Sequence, residues 1–222
     1  MKKQGKIEAL LFDLDGTLVD TAADFVNVVN GLRVKHGHRP LDESLIRSTV
    51  SDGARALIKL AFGGHEGEPL FEQYRQELLD DYYQIVGQHA ALFHGMQEIL
   101  EDCINNHIPW GVITNKPRRF TEKLLKTLNL EATCAIILCP DDVVQAKPHP
   151  ESMFKAAEIL NICLKNAVYV GDHLRDIEAG KAAGMITVAA AYGYISPLSD
   201  IHSWQADFII ERPLTLRQLF LA

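Results

Sequence analysis

Five short apolar runs limit what this chain can fold into: residues 7–12, 110–113, 135–138, 167–170 and 186–190. Each has the length of a buried strand, and stretches with helical spacing separate them. Their hydrophobicity is continuous rather than alternating, so both faces of each strand are covered. That pattern predicts an α/β fold, a doubly wound parallel sheet of Rossmann-like type with helices on both faces.

One interval breaks the alternation. Between Leu18 and Phe93 the pattern contains no convincing strand. Phe25, Val28, Val29 and Leu32 fall at helical spacing that ends near Gly37, and Asp42 is placed to cap a second helix through Leu45 and Ile46. Gly53 opens a third at Ala54, stopped by Phe62-Gly63-Gly64, and a longer one covers residues 70–86. A helical block inserted after the first strand reads as an inserted helical cap domain on two linkers. The expected division is residues 1–18 and 93–222 for the α/β core and 19–92 for the cap. Such a block can act as a lid that shields reacting groups from water.

The chain has 222 residues, enough for one core carrying a smaller insertion. Its 47% hydrophobic and 23% charged residues exclude a wholly disordered, collagenous or coiled-coil chain. A formal charge of −7 and no Lys/Arg run argue against nucleic acid as a partner. Cys103, Cys134, Cys139 and Cys163 stand singly, in mostly apolar surroundings, with no CxxC or zinc spacing, so they are expected to be reduced packing residues. The start Met1-Lys2-Lys3 imitates a signal peptide, but Glu8, Asp13 and Asp15 interrupt any apolar core after it. No run approaches the ~20 apolar residues of a membrane helix. The expectation is a cytoplasmic protein with no membrane association and no obligate protein partner.

The residues that end the apolar runs carry the chemistry. The first run ends in Asp13 and Asp15, the second in Thr114 and Asn115, and a later one in Gly171-Asp172. Parallel strands place these ends on one edge, where ligands of open α/β sheets bind. Gly16 permits a sharp departure after the two acids. Carboxylates gathered from separate strands repel one another and favour a hard cation, and Mg²⁺ suits a few protein oxygens shared with water and a phosphate. Lys147, in Lys147-Pro148-His149-Pro150, adds a positive charge on the same side.

As a set, Asp13-Leu14-Asp15-Gly16-Thr17, Thr114-Asn115, Lys147-Pro148 and Gly171-Asp172 with Asp176 resemble the four motifs of the haloacid dehalogenase-like phosphatases. All occur in order, with the helical insertion where that family places its first type of cap. The segments Trp110 to Pro117 and Tyr192-Gly193-Tyr194-Ile195 resemble the phosphoglycolate phosphatase branch. Leu45-Ile46-Arg47, Ser51-x-Gly53-Ala54-Arg55-Ala56 and Lys116-Pro117-x-Arg119-Phe120 are most similar to its N-acetylmuramic acid 6-phosphate phosphatases.

The resemblance implies a small phosphorylated metabolite as substrate and Mg²⁺ as cofactor. Asp13 is then the nucleophile that forms an aspartyl-phosphate, and Asp15 the proton donor and acceptor. Asp13, Asp172 and the Asp15 backbone carbonyl hold the metal, with Asp176 behind them touching metal waters or Lys147. Thr114, Asn115 and Lys147 bind the transferring oxygens, and Arg55 grips a substrate carboxylate. The plainer alternatives are a solvated strand-end acid, a turn or capping acid, an exposed lysine before proline, and a solvated helix arginine. His94, His149 and His173 lie near these motifs without a role that position alone can assign. N-acetylmuramic acid 6-phosphate leads as substrate over 2-phosphoglycolate. A β-phosphoglucomutase-like phosphomutase, a phosphonate-cleaving enzyme using Lys35 or Lys59, and a non-catalytic phosphometabolite-binding protein are the other readings.

Overall fold

The computed structural model describes residues 7–196 and 200–221. The Met1-Lys2-Lys3 start therefore lies outside the described residues. Six strands form one parallel sheet in the order β5-β4-β1-β6-β7-β8. They are β1 (Ala9–Phe12), β4 (Trp110–Ile113), β5 (Ile136–Leu138), β6 (Ala167–Gly171), β7 (Ile186–Ala190) and β8 (Phe208–Ile210). Every residue of β1, β4 and β6 is buried, as their unbroken apolar character requires. β1 lies between β4 and β6, with Leu10 opposite both Trp110 and Val168. The chain runs outward to β4 and β5 on one side and returns to β6, β7 and β8 on the other. This reversal at β1 opens the crevice in which such sheets bind ligands.

Helices α5 (Met96–Asn105), α6 (Arg118–Thr127), α7 (Glu151–Leu160) and α8 (Leu174–Ala182) connect the strands. The inserted block holds α1 (Ala22–Lys35), α2 (Glu43–Arg47), α3 (Ala54–Phe62) and α4 (Pro69–Ile85). Asp42 caps α2 by accepting from the Ser44 N–H at 2.8 Å, as expected. Pro69 starts α4, where its missing N–H costs no helical bond. Inside the block the rings of Phe25 and Tyr82 stack with centroids 4.2 Å apart.

The sequence pattern missed three strands. Between Leu18 and Phe93 there is a short antiparallel pair, β2 (Val19–Asp20) with β3 (Ala91–Leu92), at the two crossings into and out of the block. Two residues are too few to show a periodicity. The edge strand β8 has three residues and the same difficulty. Both crossings are pinned by buried polar groups. The Asp24 carboxylate accepts from the Gly87 N–H at 2.7 Å and the His89 N–H at 2.9 Å. The Tyr194 hydroxyl accepts from the Thr21 and Ala22 N–H groups and donates to Asp20, which also pairs with Arg47 of α2 at 2.8 Å.

All four cysteines are free, but Cys163 is exposed, against the expectation of apolar surroundings. It sits in the turn before β6, where its N–H donates to Glu8. Among the described residues no helix is long and apolar enough to cross a membrane.

Candidate active site

The carboxyl ends of β1, β4 and β6 bring the expected acids together. Asp13 follows β1, its N–H held by the Val170 carbonyl at 2.8 Å, and Asp172 follows β6. Asp13, Asp172 and Asp176 each offer a carboxylate oxygen within 4.8 Å of the others. All three are buried, Asp176 completely. Lys147 reaches this group from the loop after β5. Its Nζ donates to Asp13 Oδ1 at 2.8 Å, Asp176 Oδ1 at 2.7 Å, the Ile113 carbonyl at 2.9 Å and the Tyr169 hydroxyl at 2.7 Å. Asp176 also caps α8, accepting from the His173 N–H at 3.1 Å.

Close approach explains two glycines. A Cβ on Gly16 would stand 2.1 Å from Asp172 Oδ2, at a φ of +81° that side-chain residues avoid. A Cβ on Gly193 would stand 2.3 Å from the Gly16 carbonyl oxygen. The two bare backbones let Asp172 lie between the first motif and the Tyr194 loop.

The three acids differ electrostatically. Burial raises Asp13, but Lys147, Arg175 and the Leu14 N–H outweigh it, so Asp13 sits below the ordinary carboxylate range and is ionised. Burial and the negative charge of Asp13 raise Asp176 more than Lys147 lowers it. Among the described residues no cation pairs with Asp172, whose contacts are the Thr17 and Ser51 hydroxyls and the Tyr194 N–H. Burial and the charges of Asp13 and Asp176 push it up to about 8, only partly offset by the Tyr194 N–H and the Ser51 hydroxyl. Three converging buried carboxylates with one lysine among them are short of positive charge. A hard divalent cation supplies it, so the donor set fits Mg²⁺.

Asp15 lies apart from that cluster. Its carboxylate accepts from Thr21 Oγ1 at 2.6 Å and from Lys116 Nζ at 2.9 and 3.0 Å. The Thr114 hydroxyl accepts from the Lys116 N–H at 3.1 Å. The Asn115 amide donates to the Lys147 carbonyl at 2.9 Å, and its Oδ1 is buried without a hydrogen-bond partner among the described residues.

A cavity of about 410 Å³ lies between this floor and the helical block. Asp13, Asp15, Thr114, Asn115 and Lys116 line it from below, and Phe25, Ser51, Arg55, Arg75, Leu79 and Tyr82 from above. Arg55 does reach the cavity, but its side chain is 61% exposed and its Nε lies 3.2 Å from Glu66. Arg75 of α4 donates to Glu72 at 2.7 Å. Hydrogen bonds from Arg75 and the Gly67 N–H, together with the charges of Arg75 and Arg55, hold Glu72 below the ordinary carboxylate range. Both arginines line the cavity. Lys35, in an exposed pair with Glu77, and the exposed Lys59 have neither the burial nor the position of an imine-forming group.

Sequence reasoning gave no role to Lys116, Arg75, Arg175, Ser51 or Tyr194. Ser51 donates to Asp172 at 2.9 Å, and Arg175 donates to the Ser51 backbone carbonyl, so the block touches the acidic cluster directly. Of the histidines, His173 Nε2 lies 3.1 Å from Asp52, another contact between block and core. His149 accepts from the Glu151 N–H, and His94 is exposed. Four of the five overlooked residues lie within or beside the motifs, and that adjacency was the available signal. Arg75 had none.

Residues 10–190 match the haloacid dehalogenase-like hydrolase family. The chain is 41% identical to an N-acetylmuramic acid 6-phosphate phosphatase of Pseudomonas putida, over 96% of either chain. It is 38% identical to a phosphoglycolate phosphatase of Xanthomonas campestris pv. campestris, over 92% of either chain. The crystal structure of a predicted phosphoglycolate phosphatase from Haemophilus somnus superimposes with a TM-score of 0.86 at 22% identity, covering 99% of both chains, and bears on the fold alone. The chain belongs to the haloacid dehalogenase-like hydrolases and, within them, to the phosphatases.

Proposed function

We propose that this enzyme is a Mg²⁺-dependent phosphomonoester hydrolase whose substrate is N-acetylmuramic acid 6-phosphate. The observation that carries the substrate is the cavity of about 410 Å³, with acids and a lysine at its floor and Arg55 and Arg75 among the residues that line its upper wall. A two-carbon substrate such as 2-phosphoglycolate would leave most of that volume empty. An amino-sugar phosphate spans it, placing its lactyl carboxylate near Arg55 and Arg75. The identity to the Pseudomonas putida enzyme supports the same reading. The unit boundaries go with it: residues 1–18 and 93–222 as core, 19–92 as cap.

In this mechanism an Asp13 oxygen attacks phosphorus, the bond from phosphorus to the ester oxygen breaks, and Asp15 gives the departing oxygen its proton. Water then attacks the aspartyl-phosphate and passes a proton to Asp15, inorganic phosphate leaves, and Asp13 is restored. Lys147 and Thr114 bind the transferring oxygens, with the Asn115 backbone beside them. Held by Asp13, Asp172 and the Asp15 backbone carbonyl, with Asp176 behind, Mg²⁺ would neutralise phosphoryl charge as the nucleophile approaches.

The substrate is tested by pairing two substrates with two proteins. Arg55→Ala should lower kcat/KM for N-acetylmuramic acid 6-phosphate by roughly tenfold, the low end for a charge-assisted hydrogen bond because Arg55 is exposed. Turnover of N-acetylglucosamine 6-phosphate, which has no lactyl carboxylate, should be poor and unchanged. Equal losses on both would assign Arg55 to cap structure. Native preference for 2-phosphoglycolate would overturn the substrate.

The metal has a readout apart from turnover. Because Asp172 is raised to about 8, the metal-free protein loses stability as pH climbs from the ordinary carboxylate range towards that value. Binding Mg²⁺ requires the ionised form, so affinity should rise with pH over the same window. The gain in Tm on adding Mg²⁺ should thus be larger near pH 8 than near pH 6. A gain that is absent, or that shrinks as pH rises, would contradict a site built on Asp172.

A further inference from the structure

Lys116 is a buried cation whose charged end is committed to one group. Its side chain is 6% exposed, and among the described residues its only ion-pair partner is Asp15, gripped through both carboxylate oxygens. The ammonium lies 4.6 Å from the Tyr82 ring centroid and 5.0 Å from that of Phe25. These two stacked rings come from α4 and α1 of the helical block, so the block supplies the faces against which a core lysine rests. The lysine backbone is fixed as well. Its N–H donates to Thr114 Oγ1 at 3.1 Å, and its carbonyl accepts from Thr121 Oγ1 at 3.2 Å.

Stability does not explain a charge in this place. Taking an ammonium out of water is costly, and an apolar chain of the same length would fill an aromatic cage at least as well. The charge accounts instead for geometry. Asp15 lies in the tight turn that follows β1 and is only partly buried, so its carboxylate would otherwise sample several rotamers. Lys116 and Thr21 Oγ1, at 2.6 Å, fix one orientation at the edge of the cavity.

We propose that Lys116 is a positioning residue: it holds the Asp15 carboxylate in place, and the block holds Lys116 through Phe25 and Tyr82. The inference rests on the reading of Asp15 as the group that moves the proton. It ties proton transfer to the seated cap, because displacing the two rings removes the cage and loosens the acid.

The test is a double-mutant cycle on an alkyl phosphate ester that the enzyme turns over, with folding of each variant checked by circular dichroism. Lys116→Met should lower kcat by about tenfold or more with KM changed by less than about threefold, and Lys116→Arg should recover part of the loss. Asp15→Asn should cost on the order of a hundredfold or more, and adding Lys116→Met to it should change kcat by less than about twofold, since a residue acting through Asp15 has nothing left to act on. Multiplying losses in the double variant would overturn the proposal, as would a loss confined to KM. Full kcat in Lys116→Met would overturn it while leaving the reading of Asp15 intact. Full kcat in Asp15→Asn would remove that reading and the proposal with it. Should Lys116→Met not fold, Lys116→Gln carries the same cycle with the same outcomes.

Discussion

Asp13→Asn should abolish phosphate release and leave the protein folded, at the cost of a modest fall in Tm, since the fold favours the ionised form of Asp13. The amide keeps the volume of a fully packed side chain, so no cavity forms. It removes the carboxylate proposed as the nucleophile, whose Oδ1 Lys147 holds at the sheet edge while the Val170 carbonyl fixes the Asp13 N–H. It also removes a negative charge that raises both Asp172 and Asp176, and this relief offsets part of the support lost with the Lys147 pair, which keeps Asp176 as a partner. A missing nucleophile should lower turnover by on the order of 10⁴ or more. Phosphate release measured beside thermal melting checks both halves. Appreciable turnover in the folded variant would end the aspartyl-phosphate mechanism, and a large fall in Tm would show that Asp13 is structural.

Much of the fold could be read from strand length alone. Runs such as 167–170 are apolar at every position because β6 is covered on both faces, and a parallel sheet leaves no other reading. The helical block was legible for a related reason: Phe25, Val28, Val29 and Leu32 mark one face of α1. What could not be read is structure too short to repeat. Val19–Asp20 pairs with Ala91–Leu92 where Asp24 bonds the Gly87 N–H and Tyr194, far along the chain, bonds the Thr21 N–H, contacts that a local pattern does not record. The spatial order of the strands was equally hidden, since side-chain pattern records burial and not which neighbour provides it.

The site divides along the same line. The meeting of Asp13, Asp172, Asp176 and Lys147 was legible because Asp13 and Asp172 end strands, Asp176 stands in the first turn of the helix that follows, Lys147 lies in the loop after another strand, and their types combine anions with a cation. Lys116 was not. It stands in a motif already identified, but its importance depends on two rings from the helical block and on Asp15, none of which its own neighbourhood in sequence contains. Arg75 was hidden for a simpler reason: an arginine three residues after Glu72 on a polar helix looks like an ordinary surface pair. Only the packing of α4 over the cavity separates the two.

Lys147→Met should be the most destabilising single change at the site, as well as an inactive enzyme. The lysine side chain is 1% exposed and lies between Asp13 and Asp176, which are themselves 5% and 0% exposed. Methionine fills the space but leaves both carboxylates without their cation. Removing one partner from a buried ion pair costs about 3–5 kcal/mol, because the charge left behind is uncompensated. For a chain of this size that corresponds to a fall in Tm of roughly 6–20 °C. The carboxylates should relieve the strain by binding protons, so Asp13 should lose the depressed range that keeps it ionised, and the nucleophile with it. Two reversals identify the cause. Adding Asp13→Asn to Lys147→Met should recover stability but not turnover, since it removes one of the stranded charges. Mg²⁺ should also raise the Tm of the single variant more than that of the native protein, by supplying the missing positive charge. If Lys147→Met melts within about a degree of the native enzyme, the lysine is not what balances these acids. If Asp13→Asn deepens the loss instead of repairing it, the damage comes from packing rather than charge.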